Sequence, residues 1–283
     1  MMYRAIEAEI TAIVRRALEE DIGSGDVTTE CTVPTELWLS GRLIARAPGV
    51  IAGLEIASLV FTQLDERVQF EILVMDGEAV KPMQELARVS GPGRALLTGE
   101  RTALNLLQRI SGIATQTRRY VEAVRGTQAV ILDTRKTAPG LRALDKLAVR
   151  LGGGQNHRAG LYDMVLIKNN HIAAVGGNLA ETVARIREGD PKQRLVEIEV
   201  RDLDQLRQVL QLDVDRILLD NMPAYQLREA VAMTAGRVPL EASGGITLEN
   251  VAEIARTGVD YISVGALTHS VQALDISLWI DKT

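Results

Sequence analysis

Hydrophobic positions along this 283-residue chain follow two rhythms, and the switch between them divides the sequence. Near the start, Ile6, Ile10, Ile13, Val14, Ala17 and Leu18 recur at helical spacing, which predicts an amphipathic helix over residues 4–20. The glycines of "EEDIGSGDVTT" end it. The segments "SGRLIARAPGVIAGL", "RVQFEILVMDGEAV" and "ELARVSGPGRALL" read as short strands, with turns at Asp76-Gly77 and Gly91-Pro92-Gly93. A long helical run follows from Gly99 to about Val124. Thr98 is placed to cap it, Leu104, Leu107, Ile110 and Val121 mark its apolar positions, and Ser111-Gly112 is a point of interruption. The first ~110 residues therefore mix helices with an antiparallel sheet.

Beyond them, short apolar runs alternate with helical patterns: "AVILD" at 129, "MVLIK" at 164, "LVEIEV" at 195, "RILLD" at 216, "PLEAS" at 239 and "YISVG" at 261. The last four recur about every 22 residues, which predicts serial βα units around a parallel sheet, and six units in series favour a barrel over an open sheet. Most of these runs end in charge or glycine: Asp133, Arg135 and Lys136, then Lys168, then Asp220, then Ser243 to Gly245, and last Ser263 to Gly265. Glu197 and Glu199 lie within the third run and Glu241 within the fifth. In such barrels the active site lies at the C-terminal strand ends.

Composition narrows the classes. The chain is 46% hydrophobic and 24% charged, as soluble globular proteins are. Its single cysteine, Cys31, excludes an intrachain disulfide framework and a Cys-rich zinc site, and suits a reducing compartment. The N-terminus has acids where a signal peptide needs an apolar core, and the most apolar window, Ala47 to Phe61, is short and broken by Pro48. A cytoplasmic protein without a membrane segment is expected. The net charge of −5 argues against nucleic acid as a partner.

Against that acidic balance, Leu132 to His171 holds seven Lys/Arg and three Asp/Glu. A helix is expected from Pro139 to about Leu151, with Arg142, Lys146 and Arg150 as a solvated stripe. Gly152 to Gly154 then reverse the chain. What remains is Arg135, Lys136, His157, Arg158 and Lys168, on strand ends or loops. Arginine forks match carboxylates and phosphates, so a small substrate with several negative charges is implied. His171 is a weaker candidate, and His269 reads as structural.

In "VEIEV", Glu197 and Glu199 point to the same side, toward the barrel interior. Buried carboxylates need partners or a metal, and Lys136 and Lys168 are placed to supply partners; a structural ion-pair network suits Glu197 and a site role suits Glu199, nearer the strand end. The glycines of "EASGGI" and "SVGAL" close the last two strands, where such barrels hold phosphate; Thr247 and Glu249 would begin the helix there.

The stretches "EDIGSGDVTT", "GERTALNLLQRISGIAT", "DTRKTAPGLRALDKLAVRLGGGQNHRAGLYDMVLIKNNHI", "VEIEV", "LLDN", "EASGGI" and "SVGALTHSVQALDISL" together resemble the quinolinate phosphoribosyltransferase family of type II phosphoribosyltransferases, over almost the whole chain. The resemblance implies a mixed α/β sandwich domain at 1–112, an incomplete (β/α) barrel at 113–270, and a tail at 271–283 able to pack back on the first domain. It implies transfer of phosphoribosyl from phosphoribosyl pyrophosphate to quinolinate, with decarboxylation and Mg²⁺. Thr134, Arg135, Lys136, His157, Arg158 and Lys168 match the substrate-binding cluster. Lys136, Lys168, Glu199 and Asp220 match the catalytic groups, and Glu199 and Asp220 the acids near ribose and metal, directly or through water. Ser243, Gly244, Gly245, Val264, Gly265 and Ala266 match the phosphate loops. Arg101 matches an arginine that reaches a neighbouring subunit's site, which implies a homodimer or a higher oligomer. One departure is Ala138, where the resemblance leads one to expect a threonine, as in many relatives. Rival readings are a paralogous pyrophosphorylase-like protein of molybdate operons, a sugar-phosphate isomerase or synthase barrel, and a non-enzymatic anion-binding module.

Overall fold

The computed structural model describes residues 6–281 and divides the chain into two compact units. One holds the segments through Arg118, Thr137–Gly153 and those from Ser270; the other holds Arg119–Lys136 and Gly154–His269.

In the first unit, α1 (Glu7–Ile22) buries Ile10, Ile13, Val14 and Leu18, each worth on the order of 2 kcal/mol relative to exposure. The helix stops at Gly23, whose φ of 53° suits glycine and whose N–H returns to the Glu19 carbonyl. Arg4 and Ala5, the expected start of this helix, lie outside the described residues. The glycine-rich break is followed at once by α2 (Val27–Thr32), whose first turn is capped by Asp26 Oδ1 accepting the Thr29 N–H at 2.9 Å.

The strands are β1 (Trp38–Ala45), β2 (Gly49–Val50), β3 (Gln69–Ile72), β4 (Ala79–Val80) and β5 (Glu85–Pro92). β12 (Ile276–Ile280), from the tail, completes an antiparallel sheet in the order β12-β1-β5-β3, while β2 and β4 pair separately. Between β2 and β3 lies α3 (Leu54–Leu64), which strand reading missed. Its Leu54, Ile56, Ala57, Val60 and Phe61 are all buried, so its continuous apolar character masked the helical period.

Helix α4 (Gly93–Ala123) corrects two expectations. Thr98 lies inside it and does not cap it; its hydroxyl donates to Asp26 Oδ2 at 2.9 Å. The helix also runs unbroken through Ser111-Gly112. These small residues instead admit other backbone: Ser111 Oγ bonds both the N–H and the carbonyl of Ala52, and a Cβ on Gly112 would lie 2.1 Å from the Gln272 carbonyl oxygen.

Helix α5 (Arg142–Leu151) belongs to this unit and starts after a Pro139-Gly140 turn, later than expected. The stripe on it is not solvated. Lys146 is only 6% exposed, Arg142 and Arg150 are half-buried, and the fully buried Asp145 takes a two-pronged bond from Arg109 at 2.9 Å on each oxygen. Helical spacing identifies a common face but not whether water or protein covers it.

The second unit is a parallel sheet of β6 (Val130–Leu132), β7 (Val165–Ile167), β8 (Val196–Val200), β9 (Arg216–Asp220), β10 (Leu240–Ser243) and β11 (Tyr261–Ser263). Their order is β6-β11-β10-β9-β8-β7. The first strand pairs with the last, as in a barrel, and the ring stays open between β6 and β7. Between these strands run α6 (Asn169–Ala174), α7 (Leu179–Gly189), α8 (Leu203–Val209), α9 (Ala224–Thr234) and α10 (Val251–Ala255), and α11 (Ala266–His269) follows β11. The register aligns the strand ends, with Ser243 beside Asp220 and Ser263 beside Leu132. No helix among the described residues is long and apolar enough to cross a membrane.

Candidate active site

A cleft of about 510 Å³ opens at the C-terminal ends of these parallel strands. The sequence reaches it by an unusual route after β6. Asp133 follows that strand and is fully buried. Its two oxygens accept the His157 N–H at 2.9 Å and the Asn156 side-chain amide at 2.6 Å. Gln155 adds a parallel bridge to Leu132, so the segment after the glycines is laced along β6 in the place a further strand would take. Gly153, at φ 96°, permits the reversal that delivers it.

Thr134, Arg135, Lys136, His157, Arg158 and Lys168 all line the cleft. Arg135 has its Nε and Nη1 buried without a hydrogen-bond partner. Burial, and then the Arg135 charge, pull Arg158 below the usual arginine range, while one of its nitrogens donates to the Met164 carbonyl at 3.3 Å. Two guanidinium groups are thus held close enough to repel, a cost that an anion between them would relieve. Lys136 is set by its own backbone, whose carbonyl accepts the Thr268 hydroxyl at 2.9 Å. Gly265 lies beneath its side chain: a Cβ there would come within 3.0 Å of Lys136 Cδ.

Opposite charge enters from β8 and β9. Glu199 is engaged at both oxygens, by Lys168 Nζ at 3.2 Å and by the Asn169 amide at 2.5 Å. Lys168 is about half exposed, so solvent weakens that ion pair. Asp220 also lines the cleft and accepts from the Asn221 amide at 3.1 Å. This donor set fits Mg²⁺, which takes one or two carboxylates beside water and substrate phosphate. Asp220 is the more available ligand, because both Glu199 oxygens already have donors.

Glu197 does not take a lysine, as expected, but a histidine. His157 Nε2 lies 2.9 Å from Glu197 Oε2 and 3.4 Å from Glu241 Oε2. Arg216 joins Glu241 at 3.3 Å and lies 4.0 Å over the Tyr261 ring. Burial alone lowers the His157 pKa; hydrogen bonds and charge from the two glutamates outweigh it and raise it to about 9. Burial also pushes Glu197 up. For Glu241 the burial effect is outweighed by His157, the Ser263 hydroxyl and Arg216, so its carboxyl is lowered. The Arg158 N–H donates to His157 Nδ1 at 2.7 Å, which leaves that nitrogen no room for a proton of its own. The ring hydrogen therefore sits on Nε2, and the extra proton that the His157, Glu197 and Glu241 group binds resides on Glu197, which burial makes a weaker acid.

At the far end of the cleft stand Ser243, Gly244 and Gly245, the last two at φ 91° and 61°. Ser243 and Ser263 hydroxyls meet at 3.0 Å. The helix expected from Thr247 begins only at Val251; Asn250 instead closes a turn, accepting the Thr247 N–H and donating to the Gly245 carbonyl. Val264 is buried, with its N–H bonded to Leu132, and Gly265 and Ala266 are half-buried beyond the lining. Arg101 is exposed on α4, in the first unit. His171 accepts the Lys168 N–H at 3.0 Å and so serves the start of α6. Sequence reasoning gave no role to Asp133, Asn169, Asn221 or Glu241. Glu241 had the same signal as Glu197, a carboxylate inside an apolar strand; the others become visible only through their partners.

Comparison with known proteins gives a consistent result. The family profile "Quinolinate phosphoribosyl transferase, C-terminal domain" matches residues 113–279, and the corresponding N-terminal domain profile matches 26–111. The chain is 50% identical over 271 residues to the nicotinate-nucleotide pyrophosphorylase [carboxylating] of Mycobacterium leprae, covering 94% of this chain and 95% of that protein. It is 43% identical to the mitochondrial quinolinate phosphoribosyltransferase [decarboxylating] 2b of Nicotiana tabacum, covering 96% and 82%. The solved nicotinate-nucleotide pyrophosphorylase of Francisella tularensis superposes with a TM-score of 0.92 at 39% identity, covering 97% and 96%. The chain belongs to the quinolinate phosphoribosyltransferase family.

Proposed function

We propose that the chain transfers the phosphoribosyl group of phosphoribosyl pyrophosphate to quinolinate with loss of CO₂, giving nicotinate mononucleotide and pyrophosphate. The observation that carries this reading is Arg135: a guanidinium with two buried, unpartnered nitrogens, beside Arg158, in a cleft that also holds Lys136 and Lys168. A rigid dicarboxylate satisfies such donors two at a time. A sugar-phosphate barrel would need the glycine end of the cleft but not this cluster.

The arrangement supports the following sequence. Arg135, Arg158 and Lys168 hold the two carboxylates and aim the pyridine nitrogen at the ribose C1. The nitrogen lone pair forms the new bond as the C1–pyrophosphate bond breaks. Asp220 and Glu199 stabilise the positive charge that develops on the ribose, and Lys136 the negative charge on the departing group. The ring nitrogen is then cationic. The neighbouring carboxylate leaves as CO₂, its bonding electrons pass to the ring carbon beside that nitrogen, and a proton from water completes the product. Asp220 and Glu199 would hold Mg²⁺, which would supply charge for the pyrophosphate oxygens. Ser243, Gly244 and Gly245 would cradle the ribose phosphate. Arg101 would serve the site of a second copy, in a homodimer working in the cytoplasm.

The test is release of CO₂ and pyrophosphate in equal amounts, dependent on quinolinate, phosphoribosyl pyrophosphate and Mg²⁺ together. Equal turnover of nicotinate without CO₂ would overturn the substrate assignment.

A further inference from the structure

His157 lines the cleft, yet both of its nitrogens are engaged with protein. Nδ1 accepts the Arg158 N–H at 2.7 Å, and Nε2 sits between Glu197 and Glu241 at 2.9 and 3.4 Å. An imidazole has only these two hydrogen-bonding positions. We propose that Glu241 and Arg216 are positioning residues that hold the His157 ring with both nitrogens engaged, so that His157 meets the pyridine dicarboxylate through its carbon edge and donates no N–H to it. This rests on quinolinate being the substrate.

Three features support it. Glu197 and Glu241 are fully buried, and the Oε1 of each has no hydrogen-bond partner. Turning Nε2 toward a ligand would leave Glu197 without its donor and Glu241 with Arg216 but no ring N–H, in a place that is fully buried. Second, Glu241 cannot follow the ring, because Arg216 holds the same Oε2 at 3.3 Å and is itself stacked on Tyr261. Third, the two carboxylates neutralise whatever charge the ring carries on its protein side. The substrate's negative charge is therefore met by Arg135, Lys136, Arg158 and Lys168, and His157 contributes shape.

The same three side chains have a spacing that a metal ion would accept. Arg216 argues against one, since it places a fixed cation on the carboxylate oxygen nearest the ring.

The experiment uses the intact protein. The chain has three histidines, so ring nitrogen resonances are assignable with a His157→Gln control. Saturating quinolinate should leave both His157 nitrogens with their present partners; a shift of the size that accompanies a new hydrogen bond at either nitrogen would overturn the proposal. A double-mutant cycle reads the positioning role. Glu241→Gln should weaken quinolinate binding about tenfold, with the Kd for phosphoribosyl pyrophosphate unchanged, and should cost nothing further in a His157→Ala background. Equal losses in both backgrounds would show Glu241 acting independently of the ring, and would also overturn it. Neither result depends on the reaction itself. Wild-type protein that binds quinolinate but releases no CO₂ would sink the proposed function and leave this inference standing.

Discussion

The side-chain oxygen of Asn221 fills the space that a side chain on Gly244 would need: a Cβ there would lie 2.3 Å from Asn221 Oδ1. Both residues are in the left-handed region, at φ 55° and 91°, and the Asn221 N–H is tied to the Ser243 carbonyl at 2.8 Å. Gly244→Ala should therefore meet backbone strain and a collision together, at a cost of about 1–3 kcal/mol. The expected outcome is a lower Tm and a raised KM for phosphoribosyl pyrophosphate, with quinolinate affinity preserved. Calorimetric titration with each substrate, beside a thermal melt, checks it. A loss confined to quinolinate would place the phosphate elsewhere.

Arg135 separates stability from function. Its buried Nε and Nη1 have no partner, so the folded protein gains little from them. Arg135→Met should leave the Tm unchanged or raise it, while weakening quinolinate binding by about 2 kcal/mol, roughly thirtyfold. A fall in Tm with intact binding would mean that the guanidinium is structural.

The His157 group makes stability depend on pH. Its folded pKa of about 9 lies above the ordinary 6.5, against burial, because of Glu197 and Glu241. A raised pKa gives stabilisation that is complete below pH 6.5 and is lost as pH climbs through about 9. The groups facing the ring are Glu197 on β8, Glu241 on β10, Arg216 on β9 and Arg158 next in the chain. Denaturant midpoints measured from about pH 6 to about pH 10 should fall toward the alkaline end, and Glu241→Gln should flatten the slope. An equal slope in that variant would assign the titration to other groups.

Shared sites have a direct readout. Arg101→Ala and Glu199→Ala chains, each inactive alone, should regain activity when mixed under conditions that exchange subunits. Complete silence of verified mixed dimers would mean that each site is built from one chain.

Much of this was legible in the sequence alone. The six parallel strands fall where short apolar runs stand between helical patterns, and six cationic or hydroxyl candidates from Thr134 to Lys168 do line one cleft. Strand period and strand ends are local properties, so they survive in sequence. What failed was non-local. Lys146 sits at surface-like spacing on α5 but is buried by packing that no window around it reveals. Thr98 has the chemistry of a cap, yet Asp26, far away in sequence, takes its hydroxyl. Lysines lie near Glu197 in the strand order, yet its partner is His157, delivered by a loop whose path depends on Asp133.

That path has a consequence for anyone who would cut or splice this protein. The chain leaves the first unit after Arg118, returns at Thr137, departs again after Gly153 and comes home at Ser270. Neither unit is therefore a continuous stretch of gene. A fragment ending near residue 112 would lack α5 and β12, and one beginning there would carry both as orphans. A single junction between relatives would therefore set α5 and β12 of one parent into the first unit of the other, so a clean exchange needs several junctions.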